Sequence, residues 1–131
     1  MSEDPTIGAP FDTEPSIFTR IIAREIPADI VLETDQVIAI RDIAPKAPVH
    51  LLVIPKTQAY RTVAELAEAD SALLAHVVEV AQQLADELTD GEFRLIFNSG
   101  ERAGQSVFHV HAHVLGAPRS ADPLTEESLG L

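Results

Sequence analysis

Three histidines alternate with three small apolar residues in the run His109-Val-His-Ala-His-Val114. Side chains alternate across a β-strand, so on a strand His109, His111 and His113 share one face and Val110, Ala112 and Val114 the other. Successive rings then stand roughly 6.5–7 Å apart along the strand. Buried imidazoles need hydrogen-bond partners, so three in a row have no core-packing logic. His50 lies in another β-patterned run, Val49 to Ile54, and makes a fourth candidate. His76 falls in a helical segment and reads as structural.

Two chemistries suit such a face. A tetrahedral zinc shell often uses His-x-His on a strand. Alternatively, a neutral imidazole is nucleophilic near neutral pH and leaves phosphorus readily, so one ring could attack while its neighbours orient it. The second scheme needs phosphate donors. The Gly100–Ser106 loop, which leads straight into the histidine run, offers backbone N–H groups, the Gln105 amide and the Ser106 hydroxyl. Geometry alone leaves both chemistries open.

The rest of the chain frames that strand. Its 131 residues suit one domain with one core. With no cysteine, disulfides and thiolate metal sites are excluded; with no tryptophan, aliphatic side chains must fill the core. Residues 1–14 read as a flexible acidic arm, 15–116 as the domain, and 117–131 as an extended tail. Ser16 can cap a short helix from Ile17 to about Arg24. Two β-branched runs, Ile30–Thr34 and Val37–Arg41, suggest a hairpin, and a third strand over Val49–Ile54 ends at Pro55. Residues 62–90 read as helical, in a short piece near Thr62–Leu66 and a long helix over Ser71–Leu88. Asp70 can cap the long helix, Gly91 can stop it, and Leu74, Val77, Val78, Ala81, Leu84, Ala85 and Leu88 form its apolar stripe. Strands are expected at Phe93–Asn98 and Val107–Leu115. That order argues for an α+β domain on an antiparallel sheet.

The net charge of −12 is localised. Residues 1–15 and 62–93 hold twelve acids and no Lys or Arg, and elsewhere acids and bases balance. Such a chain lacks the basic surface that binding a nucleic acid polymer requires, whereas a small anion held by local donors fits. No apolar run reaches the roughly 18 residues of a membrane span, and the acidic start lacks the features of a signal peptide, so a cytoplasmic location is expected.

The segment Gly104-Gln-Ser-Val-Phe-His-Val-His-Ala-His-Val-Leu-Gly116 resembles the signature of the histidine triad (HIT) family, His-φ-His-φ-His-φ-φ, where φ is apolar. Its Gly-Gln-Ser-Val lead-in is similar to the Hint branch of nucleotide-binding proteins and adenosine phosphoramidases. Further segments match: Ile17-Phe18, Ile21-Ile22, Glu25-Ile26-Pro27, Asp42-Ile43-x-Pro45, Ala47-Pro-x-His-x-Leu-Val-Ile-Pro-Lys56 and Asn98. The resemblance covers about residues 15–116.

It implies a five-stranded antiparallel sheet with one long and one short helix, extended across a homodimer through the long helix and a strand. It implies a purine nucleoside phosphoramidase that cleaves P–N bonds through a nucleotidyl-histidine. Its roles carry over by position. His111 would be the nucleophile; His113 and His109 would bind phosphate and handle protons, with His50 behind them. Asn98, Gly104, Gln105 and Ser106 would contact the phosphate and leaving group, and Asp42 would accept the ribose hydroxyls. Ile17, Phe18, Ile21, Ile26, Ile40 and Ile43 would form the purine slot.

Three departures stand out. Many bacterial relatives bind zinc through a Cys-x-x-Cys and two histidines, but here Ser16 and Thr19 occupy those positions, so neither a metal nor another cofactor is expected. Ile40 replaces a common aromatic residue, and the tail lacks a Trp-containing ending. Rival readings are a dinucleoside polyphosphate hydrolase, a nucleotide-binding adaptor and a zinc hydrolase.

Overall fold

A computed structural model describes residues 14–127 of the chain. The acidic arm, apart from Glu14, and the last four residues of the tail lie outside the described residues.

The chain builds α1 (Ile17–Ile22), β1 (Ile30–Glu33), β2 (Val37–Arg41), β3 (Val49–Pro55), α2 (Val63–Ala69), α3 (Ser71–Leu88), β4 (Arg94–Ile96) and β5 (Ala112–Gly116). A short 3₁₀ turn, Glu101–Ala103, precedes the histidine run. The five strands form one sheet in the order β1-β2-β3-β5-β4, with every neighbouring pair antiparallel. The expected sheet is therefore present, but with two short helices rather than one. The piece near Thr62 is a helix in its own right, capped where the Thr62 hydroxyl accepts from Glu65 N.

Burial follows from the layering. Residues 37–40 of β2 and all of β3 are buried, because both faces of the sheet centre are covered. On one face Leu51, Val53, Ala112 and Val114 pack with Leu66, Leu73, Val77, Val80 and Leu84 of α2 and α3. On the other, Ile38, Ile40, Leu52 and Ile54 pack with Phe18 and Ile21 of α1.

Val77, Ala81, Leu84 and Ala85 of the expected α3 stripe are buried, but the stripe is wider on one side and stops short on the other. Leu73 and Val80 are buried, Leu74 and Leu88 only partly so, and Val78 is 39% exposed. The helix carries more apolar residues than one face can hold, so the spacing alone admits neighbouring registers. Its ends follow expectation: the Asp70 carboxylate accepts from Leu73 N at 3.0 Å. Past Leu88, Asp90 and Gly91 take left-handed backbone angles, and Gly91 N donates to Ala85 O at 2.9 Å.

β4 and β5 are shorter than expected. Residues 107–111 leave the β-ladder; Val110 N donates instead to Tyr60 O, 3.0 Å away in the link between β3 and α2. Strand alternation nevertheless persists through this stretch, since Val110 joins the helix-side core. β5 ends at Gly116, where a Cβ would stand 2.6 Å from a Thr89 methyl, so the β4 and β5 ends close only around glycine.

Candidate active site

The strand register assembles the site in rows across the face opposite the long helix. His50 on β3 lies opposite Leu115 on β5, and Leu52 opposite His113. Ile96 on β4 is opposite His113 from the other side. Asn98 follows two residues beyond the end of β4, outside the paired register. Asp42 follows β2 directly, and its N–H donates to His50 O at 3.0 Å, placing its side chain beside His50.

Each histidine has partners that fix its tautomer. His109 is fully buried, at 0% exposure, and both of its nitrogens are engaged. Its Nε2–H donates to Pro55 O at 2.7 Å, which leaves Nδ1 as acceptor for the Ser16 hydroxyl at 2.6 Å. His111 donates Nδ1–H to His109 O at 2.8 Å, so Nε2 carries a lone pair and no proton. The Phe18 ring packs against both in T-shaped contacts, with centroid separations of 5.6 Å to His109 and 4.9 Å to His111.

A second chain of bonds sets the other pair. Lys46 N–H donates to His50 Nδ1 at 3.0 Å, so the His50 proton sits on Nε2. That proton faces His113 Nδ1 at 3.0 Å, with Asp42 Oδ2 at 3.4 Å from the same nitrogen. His113 therefore keeps its own proton on Nε2. Burial lowers the pKa of all four rings. For His113, burial and then the neighbouring His111 and His50 push it to about 4, so the cluster is neutral at pH 7.

Among the described residues, neither of two candidate metal positions suits a cation. Asp42, His50 and His113 bring donor atoms within 4.8 Å of one another, compact enough for a divalent ion. Yet a ligating imidazole normally donates its second N–H outward, whereas Lys46 N–H faces that nitrogen and keeps the proton at the centre of the cluster. Nor do Ser16 and Thr19 fit zinc. The Ser16 hydroxyl is committed to His109, and that of Thr19 donates to Gln58 Oε1 at 2.6 Å. Both are neutral oxygens where a thiolate would be needed.

The other sequence-predicted residues divide. Phe18, Ile21 and Ile40 belong to one apolar cluster, with Ile26 packed against it. Ile17 and Ile43 do not join them. Ile17 starts α1 on its solvent side, and Ile43, 99% exposed, points out of the loop after Asp42. Ser106 is exposed, and Gly104 takes a left-handed angle, φ +94°, that closes the 3₁₀ turn. The Gln105 side chain is buried in its own loop. It accepts from Gly100 N and donates to Arg61 O and Val107 O, so it braces the backbone around the site. Sequence reasoning missed Lys46, Pro55 and Tyr60, which act through backbone atoms that residue identity does not mark. It also missed Gln58.

Known proteins are similar to this chain in sequence and fold. A family model described as scavenger mRNA decapping enzyme C-term binding matches residues 15–127. An uncharacterized HIT-like protein from Synechocystis is 48% identical over 104 residues, covering 79% of this chain and 90% of the relative. The chain belongs to the histidine triad family. Another relative, the purine nucleoside phosphoramidase of Escherichia coli K12, is 41% identical over 105 residues, covering 79% of this chain and 87% of that one. Among solved HIT structures, a HIT family hydrolase from Legionella pneumophila Philadelphia 1 superposes with a TM-score of 0.73 at 40% identity, over 81% of this chain and 96% of its own length. One from Clostridium thermocellum gives 0.75 at 39% identity, over 87% and 100%.

Proposed function

We propose that this HIT protein is a hydrolase that cleaves the P–N bond of purine nucleoside 5′-phosphoramidates, with His111 as nucleophile. The observation that carries the reading is the His111 tautomer: Nδ1–H is held by His109 O, leaving a bare Nε2 on a neutral ring. The phosphoramidase name of the 41% identical relative supports the choice of bond.

In this scheme His111 Nε2 attacks the α-phosphorus. The anionic phosphate favours protonation of the His50–His113 pair, with Asp42 as counter-charge, so the pair takes up one proton as substrate binds. As the P–N bond breaks, Nε2–H of His113 passes to the departing nitrogen and a neutral amine leaves. Water then attacks the nucleotidyl-histidine and returns its proton to His113, releasing the monophosphate. Asn98 and Ser106 would contact the phosphate and leaving group, and Asp42 the ribose hydroxyls. The cluster of Phe18, Ile21, Ile26 and Ile40 would shape the base slot. His109, with both nitrogens occupied inside the protein, orients His111 rather than binding phosphate.

A homodimer is part of the proposal. β4 is an edge strand of three residues, and Val78 of α3 is exposed. A second copy would cover both. The test is turnover of an AMP-amine conjugate beside a diadenosine polyphosphate. Preferential release of the amine supports the assignment. Preferential polyphosphate cleavage would move the chain to the rival reading, and full activity in His111→Ala would end it.

A further inference from the structure

The first turn of α1 is tied to the histidine run by a polar network that the proposed chemistry does not itself use. The Ser16 hydroxyl donates to His109 Nδ1 at 2.6 Å and accepts from Thr19 N at 3.0 Å, so one oxygen both caps α1 and holds the buried ring. Behind it, Gln58 Oε1 accepts from Ser16 N at 2.8 Å and from the Thr19 hydroxyl at 2.6 Å. The Gln58 amide in turn donates to Glu14 O at 2.9 Å. His109 is thus pinned at both ends of its ring, by Ser16 and by Pro55 O. The carbonyl of this same residue orients His111.

The connection matters because residues 107–111 lie outside the β-ladder. With no strand pairing to set its position, the carbonyl of His109 is located by what holds the His109 side chain and by the single bond from Val110 N to Tyr60 O. Loss of the Ser16 hydroxyl would leave His109 Nδ1 buried without a partner and free the ring to tilt. A tilt moves the carbonyl, and with it the direction of the His111 lone pair.

We propose that Ser16, braced by Thr19 and Gln58, is a positioning residue for His111. It never touches substrate; it aims the nucleophile through His109. The proposal rests on His111 being the nucleophile, and the experiment separates the two claims by reading ring geometry as well as rate.

Ser16→Gly is the informative variant, because glycine is tolerated as a helix cap at a cost of only a few tenths of a kcal/mol. With an AMP-amine conjugate, kcat should fall about 10- to 100-fold while KM stays within about twofold, as expected for a misaimed nucleophile. In long-range proton–nitrogen spectra the ring signals of both His109 and His111 should move. Ser16→Thr, which restores a hydroxyl, should recover kcat to within about threefold. Wild-type kcat in Ser16→Gly, unmoved His111 signals, or a folded Ser16→Thr as impaired as Ser16→Gly would each overturn the proposal. Should Ser16→Gly fail to fold, Thr19→Val keeps the cap and cuts only the brace. It should give the same pattern at about three- to tenfold in kcat, and unchanged kcat and spectra there would refute the device. If wild type shows no turnover, the reaction assignment fails, while the spectra still report whether Ser16 orients His111.

Discussion

The two faces of the 109–114 segment are built on different physics. Val110, Ala112 and Val114 are buried against α2 and α3, where any well-shaped aliphatic side chain would serve. His109, His111 and His113 face the other way, and there each nitrogen has a specific partner or is specifically left open. The first face is set by volume and the second by direction. Substitutions on the first should therefore change stability and spare the chemistry, and those on the second should do the reverse.

His111→Ala gives the sharpest break between the faces. It should cost at least about 10⁴-fold in kcat, since removing a nucleophile leaves only binding and electrostatic help. The protein should remain folded by circular dichroism, because the ring is not fully buried and Val110 and Ala112 still anchor the helix side. His113→Ala should lose about 10²- to 10⁴-fold, the usual contribution of a proton donor. That loss should shrink for a substrate whose leaving group departs without protonation. An equal loss for both substrates would place His113 outside proton transfer. From the opposite face, Leu51→Ala should lower stability by about 2–5 kcal/mol in a denaturant melt while leaving kcat within about twofold. A matching collapse in kcat would mean that the two faces are not separable.

The smallest effect is in pH. His113 binds a proton at about 4 in the folded chain, against an ordinary value of 6.5. Between those values the unfolded chain holds more protons, so stability falls as pH drops from 6.5 toward 4, and this group contributes no slope above that window. His50, His109 and His111 are lowered as well and act in the same direction. Melting curves from pH 7 to 5 should therefore fall more steeply for wild type than for His113→Gln. Parallel curves would show that burial of His113 does not govern the slope.

The contrast between the faces also explains what the sequence reveals. Alternation identifies the histidine face because it needs only the period of a strand, and it survives even where 107–111 leave the ladder. Ser16, Asp70 and Gly91 are legible because capping is a local event between residues a few positions apart. The tautomers are not legible. They depend on carbonyls of Pro55 and His109, which every residue type could supply, and on the N–H of Lys46, which every type but proline could. Gln58 is hidden for a related reason: its partners Ser16 and Thr19 are about forty residues distant in the chain. The exposure of Ile43 and of Val78 on α3 depends on how loops and helix settle on the sheet, which apolar spacing alone does not fix.

The central claim is that the open nitrogen of His111 takes the nucleotide covalently. Rapid quenching of wild type with an AMP-amine conjugate, followed by peptide mass spectrometry, tests it directly. The prediction is one nucleotidyl group on His111, formed and lost at rates that match turnover and absent in His111→Ala. An adduct on another residue, or steady turnover with no adduct at any quench time, would contradict it.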